Sequence, residues 1–551
     1  MIRGEIVRIL KEVTGEQDIQ VDVPENSRFG DYSTNIAMVL GKKEGKNPNQ
    51  IAKEIVSKLL SNQATKSLCE KVEAAGSGFI NFWLKKEVLL ESLSVAEFEK
   101  PFKGQKLMVE FAHPNTHKPF HIGHLRNITT GECLVRLLES QGAGVIRVNY
   151  QGDIGLHIAK AIWGINKLGF SDPKDIKKRA EFLGKAYVSG SSVYEDDSKV
   201  KAEINRLNKA LYEGKDQKLN DIYHLTRRWS LDYFDFIYRR VYSHFDRFYF
   251  ESEVAEEGKK IALKALKKGI LQKSKGAIIY PGKKKGLHDR VFVTGKGVPT
   301  YEAKDLGLAK LQFKEFNPDK ILHIVGPEQV EYFQVLFSAL GEIFPKTKGR
   351  EIHIPYGFVR LKEGKMSSRA GNVILGEWLI DEVKERIIKE YNSGDEIAEK
   401  VAIGAIKYSF LKTSLRQEIS FDIKESVSLE GNSGPYLQYT VARANSVLAK
   451  IRNKLKIKNF KFQINSEELA ILRSLIKFQE AVIASATSYS PNLLCNYLYD
   501  LASKFNTFYN KHRILGTTRE VELFRVLLTK ATGQVLKTGL SLLGIQTPER
   551  M

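Results

Sequence analysis

Apolar residues recur along this chain with two periods, and the switches between them divide it. Ile2 to Val13 carries helical spacing, and Pro48–Leu60 (PNQIAKEIVSKLL) predicts an amphipathic helix with Ile51, Ile55 and Leu59 in line. Pro48 suits an early helical position, where its missing N–H would have no intrahelical partner anyway. Phe79–Leu84 (FINFWL), reached through Gly76-Ser77-Gly78, predicts a strand. A helix over Lys85–Leu93 and the segment Glu97–Gly104 read as the exit from a small α/β domain spanning residues 1–100.

From Gln105 the pattern changes. Lys106–Phe111 is a compact apolar strand, followed by a polar turn with two prolines, an apolar helix from about His121 to Ser140, and a second strand over Val145–Tyr150. Strand, helix, strand is a βαβ unit. It implies a doubly wound α/β sheet of parallel strands, with a ligand crevice at the strand C-termini. The stretch Gly164–Lys285 is rich in Lys, Glu and aromatics at helical spacing, Tyr233–Tyr238 (YFDFIY) among them, and predicts a helical insertion over 170–290. Parallel strands are expected to resume at Ala277–Tyr280, Val291–Thr294 and Lys320–Val325. This central unit would span 101–375, followed by a helical connector over 376–430 and an all-α domain over 431–551. Within the latter, Asn465 and Glu468 have the spacing of a reciprocal helix cap, with Leu469, Leu472, Ile476 and Ile483 behind it.

Composition narrows the class. Hydrophobic residues make up 42% of the 551, enough for sizeable cores and too many for a disordered chain. Lys and Arg number 86 against 65 Asp and Glu, and the net charge of +21 favours a polyanionic partner, nucleic acid first. A generally basic proteome is the bland alternative. Cys69, Cys133 and Cys495 are widely separated, which excludes a disulfide framework and a zinc ribbon and fits a reducing compartment. No apolar run approaches the roughly 18 residues of a membrane span. Met1–Leu10 alternates apolar with charged residues, unlike a signal or transit peptide, so a cytoplasmic location is expected.

Two short motifs carry candidate chemistry. His121-Ile122-Gly123-His124 puts two imidazoles three apart at a helix start, where the dipole and free N–H groups favour a phosphate. Gly123 would leave room for a flat base. Lys365-Met366-Ser367-Ser368-Arg369, between Gly364 and Gly371, offers cations and hydroxyls suited to nucleotide phosphates. Neither is diagnostic alone; ordinary capping histidines and a polar loop are the plain alternatives. Their order, in a βαβ context, is informative.

With both motifs in place the chain resembles the class I aminoacyl-tRNA synthetases and, more narrowly, the arginyl-tRNA synthetases. The matching stretches are Glu110–Arg126 (EFAHPNTHKPFHIGHLR), Asn149–Gly155 (NYQGDIG), Lys365–Gly371 (KMSSRAG), Gly434–Tyr439 (GPYLQY), Leu543–Ile545 before Pro548–Met551, and Phe29–Ala37 (FGDYSTNIA). The resemblance implies a Rossmann-type catalytic domain with a helical insertion, a small N-terminal α/β domain that contacts tRNA, and an all-α anticodon-binding domain. It implies activation of arginine by ATP with Mg²⁺ and transfer to the terminal adenosine of tRNA(Arg), by an enzyme expected to be monomeric and without zinc. Glu328, after Gly326, lies where the nucleoside is expected, and Gly123, His121, His124, Lys365, Met366 and Ser367 would complete the ATP site.

The arginine pocket admits a physical check. A guanidinium is a permanent planar cation and calls for a carboxylate. Tyr301 and Asp305, four apart, share a helix face that Thr300 is placed to cap. Asp305 would face the guanidinium, Tyr301 flank it, and Gln329 come from the end of the next strand. By resemblance Glu110, Asn115 and His124 hold the substrate's remaining polar groups. Two departures stand out. Ser368 occupies the place of a second loop lysine, and in such enzymes an upstream lysine, here Lys118, is thought to supply the charge. His113 stands where serine is commoner, in the amino-group site. For RNA, Tyr436, Tyr439, Arg443, Phe508 and Tyr509 are candidates for stacking on unpaired bases, against the alternative that they are bundle core. Arg28, Lys42, Lys43 and Lys46 are candidates for phosphates. Rival readings are another class I synthetase, a non-catalytic RNA-binding paralogue and a small nucleotidyltransferase. Asp305 speaks against a glutamate pocket, and the retained histidines and loop lysine speak against a paralogue.

Overall fold

The computed structural model describes residues 1–93, 99–362, 369–370, 373–451 and 463–551. Lys365, Met366, Ser367 and Ser368, and the start of the expected linker at Glu97, lie outside them.

The N-terminal unit is a three-stranded antiparallel sheet covered by helices Ile2–Thr14, Ile36–Glu44 and Pro48–Ser61. The Asn47 side chain caps the last helix, with Pro48 in its first turn. Ile51, Ile55 and Leu59 are buried in line, and Phe79–Leu84 forms the central strand between Tyr32–Thr34 and Cys69–Ala75.

The central sheet has five parallel strands. In spatial order they are Glu351–Pro355, Lys320–Val325, Lys106–Glu110, Gly144–Gln151 and Arg247–Phe250. The first strand in sequence is thus central, flanked by the second and the fourth. Strand order reverses between Lys106–Glu110 and Lys320–Val325, and a ligand crevice opens at such a switch point. Helix Ile122–Ser140 leaves the first of these strands, and Gly326 with the short turn Pro327–Gln329 leaves the other.

Two expectations need correction. Ala277–Tyr280 and Arg290–Val293 do not belong to the parallel sheet; with Gln272–Ser274 they form a separate antiparallel one. The reason is local: Lys275 and Gly276 both have positive φ, 46° and 80°, and a two-residue turn of that kind joins antiparallel strands, whereas a parallel pair needs a long crossover. The insertion over 170–290 is also helical only in part. Helices Ile176–Val193, Ser198–Glu213 and Gln217–Arg240 fill it as far as Arg240, after which Arg247–Phe250 rejoins the parallel sheet as its edge.

Beyond Gly376 the chain is mainly helical. One short strand, Ile419–Phe421, pairs parallel with Val359–Leu361. The reciprocal cap of Asn465 and Glu468 forms as spaced. Among the described residues no helix is long and apolar enough to cross a membrane.

Candidate active site

The crevice floor is set by the turn after Glu110. Ala112 and His113 both have positive φ, 77° and 50°, a region non-glycine residues seldom occupy. Two buried asparagines hold that shape. Asn127 Oδ1 accepts the Ala112 N–H at 2.6 Å while its amide donates to the Ile324 carbonyl, and Asn149 Oδ1 accepts the His113 N–H at 3.2 Å. Asn115 then accepts the Gly152 N–H at 3.1 Å, and a Cβ on Gly152 would lie 2.3 Å from that oxygen. Glycine is required there for the two turns to meet.

His121 is the N-cap of helix Ile122–Ser140, and it shares a reciprocal cap with His124. His121 Nδ1 accepts the N–H groups of Gly123 and His124 at 3.1 and 3.4 Å, and His124 Nδ1 accepts the His121 N–H at 3.1 Å. The rings stack with centroids 3.6 Å apart. Because each Nδ1 accepts, each ring proton sits on Nε2. Burial, helped by Lys118, pushes His121 down to about 4. Burial, with His121, His113 and Lys118 adding to it, holds His124 well below its ordinary range. The pair is therefore neutral and presents two N–H donors. This corrects one expectation: the helix N–H groups of Gly123 and His124 are not free for a phosphate. A second role emerges for Gly123, where a Cβ would lie 2.9 Å from two atoms of the His121 ring. Downstream of the Lys365 loop, Leu375 bridges to His121 and the Gly376 N–H donates to the Phe120 carbonyl at 2.9 Å, so the chain returns to this helix start. Lys118 is half-buried, its ammonium 5.3 Å from the Tyr187 ring centre.

The second wall is helix Tyr301–Glu315. Thr300 stands at its N-cap, but its hydroxyl donates to the Val291 and Phe292 carbonyls and caps nothing. Asp305 Oδ2 accepts the Tyr332 hydroxyl at 2.6 Å. Burial pushes the Asp305 carboxyl up to about 8; the Tyr332 hydrogen bond offsets part of this, and the charges of Glu110 and Glu251 add to it. Tyr301 is 63% exposed at the rim. Lys304 points the other way, into a buried ion pair with Glu251.

Glu110 is buried, with both oxygens engaged: Oε1 meets His323 Nδ1 at 3.0 Å and Oε2 accepts from Gln312 at 2.6 Å. His323 Nε2 reaches Glu351 at 2.6 Å. Against the effect of burial, these two carboxylates raise His323 to about 10, and its charge keeps Glu110 below the usual range. Glu110 is thus first a partner of His323. His113 is half-buried with its ring atoms enclosed, and that enclosure holds it neutral; Nδ1 faces the Tyr150 carbonyl at 3.2 Å, which puts the ring proton there and leaves the buried Nε2 an acceptor without a partner among the described residues. Gln329 is half-buried beside the crevice, and the exposed Glu328 folds its carboxylate back over Gly326.

The sequence reading missed Tyr332, Gln312, His323 and Glu351. Tyr332 had a signal, lying one helical turn beyond Gln329; the others reveal themselves only when strands separated in sequence become neighbours.

On the C-terminal bundle, Arg443 lies between two rings, 4.8 Å from Tyr439 and 4.7 Å from Tyr509, and Tyr436 packs half-buried against Tyr499. Phe508 does not join this surface. It is fully buried against Phe505 and His512 and offers no face to a base, because it lies on the inner side of helix Pro491–Lys511.

Comparison with known proteins agrees along the whole chain. Residues 1–84 match the arginyl tRNA synthetase N terminal domain, 87–423 the class I (R) tRNA synthetase catalytic domain, and 437–551 the DALR anticodon binding domain. The arginine–tRNA ligase of Borrelia hermsii is 32% identical over 97% of this chain and 95% of its own. The chain belongs to the arginyl-tRNA synthetase family. It is a class I, ATP-dependent arginine–tRNA ligase with tRNA, arginine and ATP as partners. The arginine–tRNA ligase of Porphyromonas gingivalis is 31% identical over 98% of this chain and 97% of its own. The solved arginyl-tRNA synthetase of Thermus thermophilus superposes with a TM-score of 0.86 at 25% identity, covering 100% of this chain and 99% of that one.

Proposed function

We propose the following division of labour for the synthetase reaction. Asp305 takes the guanidinium of L-arginine with Tyr301 at the rim, and Gln329, Asn115 and His113 hold the α-amino and carboxylate end, with Glu110 and His124 behind them. His113 Nε2 accepts from the α-ammonium, a role open to an imidazole held neutral. ATP lies across Gly123 and Gly326, with Glu328 toward the nucleoside and Met366 and Ser367 toward the phosphates. An arginine carboxylate oxygen attacks the α-phosphorus, and the bond to pyrophosphate breaks. Charge gathers on the phosphate oxygens, met by the Nε2–H groups of His121 and His124 and by Lys118 and Lys365. A hydroxyl of the terminal adenosine of tRNA(Arg) then attacks the arginyl carbonyl, and AMP leaves. No side chain serves as a covalent nucleophile; positioning and preorganised donors do the work.

Mg²⁺ is proposed to arrive on the ATP phosphates, held by their oxygens and water. Among the described residues no group of three or more His, Cys, Asp or Glu is arranged to hold a metal ion. The working division of the chain is 1–100 for outer tRNA contact, 101–375 for catalysis, 376–430 as connector and 431–551 for the anticodon, where Tyr436, Tyr439, Arg443 and Tyr509 offer the stacking surface. The enzyme is read as a cytoplasmic monomer.

The observation that carries the arginine reading is Asp305, a carboxyl raised to about 8 by burial, with the His323 charge acting against this and no ion-pair partner of its own among the described residues. Asp305→Asn keeps the shape and removes the charge. The expected result is an arginine KM raised at least tenfold, from loss of a charge-assisted contact of about 2–3 kcal/mol, with the KM for ATP little changed. An unchanged arginine KM would place the guanidinium elsewhere.

A further inference from the structure

The strand Gly144–Gln151 carries a second buried polar group that the reaction above leaves unused. Successive strand residues face opposite ways. Asn149 turns to the insertion side, where its amide donates to Tyr238 at 3.0 Å. Tyr150 turns to the other face, its ring packed among Met108, Val148 and Tyr249 beneath helix Tyr301–Glu315. Its carbonyl receives His113, but its hydroxyl oxygen is buried and has no hydrogen-bond partner among the described residues. A buried hydroxyl without a partner is costly, and such groups are few in native proteins. The charged groups that act on it are Asp305 foremost, then Glu251, Glu110 and Asp153. Of these, Glu251 is paired with Lys304, Glu110 with His323 and Asp153 with Arg227, while Asp305 has only the neutral Tyr332 hydroxyl. Leu308, in the cluster on which this ring packs, is one helical turn from Asp305, and Asp305 is the carboxylate of the four with no ion-pair partner among the described residues.

We propose that Tyr150 is a specificity-determining residue for the amino-acid substrate, its hydroxyl accepting a guanidinium N–H beside Asp305. This rests on the reading of Asp305 given above. A planar guanidinium has five N–H groups in a fixed fork, more than one carboxylate satisfies, and a hydroxyl adjoining that carboxylate takes one of the remainder. A substrate ending in a single ammonium, such as lysine, fits the charge but not the fork.

The test is Tyr150→Phe, which removes one oxygen and keeps the ring. Calorimetry of the full-length variant is expected to show arginine binding weakened by about tenfold. ATP binding stays within twofold, and the preference for arginine over lysine narrows. The unfolding midpoint of the ligand-free variant should equal or exceed that of the parent, because an unpartnered hydroxyl contributes nothing to the empty fold. Arginine binding within twofold of the parent overturns the proposal, as does a lowered midpoint with unchanged affinity, which would reveal a structural partner. Asp305→Asn in parallel separates the two readings. If it weakens arginine and Tyr150→Phe does not, only the role of Tyr150 falls; if neither does, the pocket itself is misplaced.

Discussion

Asp305, the proposed partner of the guanidinium, is unfavourable to the empty protein and, on that proposal, useful to the loaded one. Its carboxyl is raised from 3.8 to about 8 by burial, so near neutral pH most of it holds a proton. A guanidinium favours the ionised form, so binding arginine expels that proton. The sign follows. Above about pH 8 the carboxylate is already ionised and affinity is flat; below it, affinity falls as pH falls, toward tenfold per unit. Arginine titrations in two buffers of different ionisation enthalpy should show proton release near pH 7, abolished in Asp305→Asn. Of the groups facing this carboxyl, Tyr332 titrates far above it, Glu110 below the usual carboxylate range and His323 at about 10, while burial raises Glu251 against its pairing with Lys304, so the Asp305→Asn control assigns the released proton. The paired histidines do not blur the transition, since His121 gains its proton only near 4. The identity of Asp305 as a candidate was legible from its spacing to Tyr301. Its raised proton affinity was not, because that comes from burial beneath elements remote in sequence, with Glu110 and Glu251 adding to it.

At the scale of elements, the start of helix Ile122–Ser140 is the feature on which the proposed catalysis rests. Its cap is built from the histidines proposed to act on the phosphate, so cap and catalytic geometry are one arrangement. Gly123→Ala puts a methyl against the His121 ring. The cap is worth about 1 kcal/mol to the helix. The larger expected effect is on rate: exchange at saturating arginine should drop tenfold or more while arginine affinity holds, measured by steady-state exchange beside calorimetry. The βαβ unit holding this helix was readable because Lys106–Phe111 and Val145–Tyr150 are short, mainly apolar runs on either side of an apolar helix. Arg247–Phe250 was not readable. Its aromatics match those of helix Gln217–Arg240, and only its pairing with Gly144–Gln151 marks it as a strand. Phe508 shows the same limit, since composition does not tell which face of a bundle helix a ring occupies.

Across the whole molecule, the three regions are joined by polar contacts, buried and part-buried. Lys407 donates to the carbonyls of Val241, behind the insertion, and Gly544, near the C-terminus, at 2.6 and 2.8 Å. Burial lowers its ammonium to about 7. The N-terminal unit docks on the bundle through Arg3 and the Tyr32 hydroxyl to Glu480, and through Arg473 to Asp31. In the proposed division of the chain, a tRNA held by the outer domains is thereby referred to one catalytic frame. The +21 charge gains a plainer meaning in this setting: it suits a long polyanion, while the arginine pocket is locally acidic. The central claim, that this crevice activates arginine, is tested most directly by pyrophosphate exchange with each of the standard amino acids, with and without tRNA. The account predicts exchange with arginine and with no other at comparable concentration. Absence of arginine-dependent exchange even with tRNA present, or equal exchange with lysine, would contradict it.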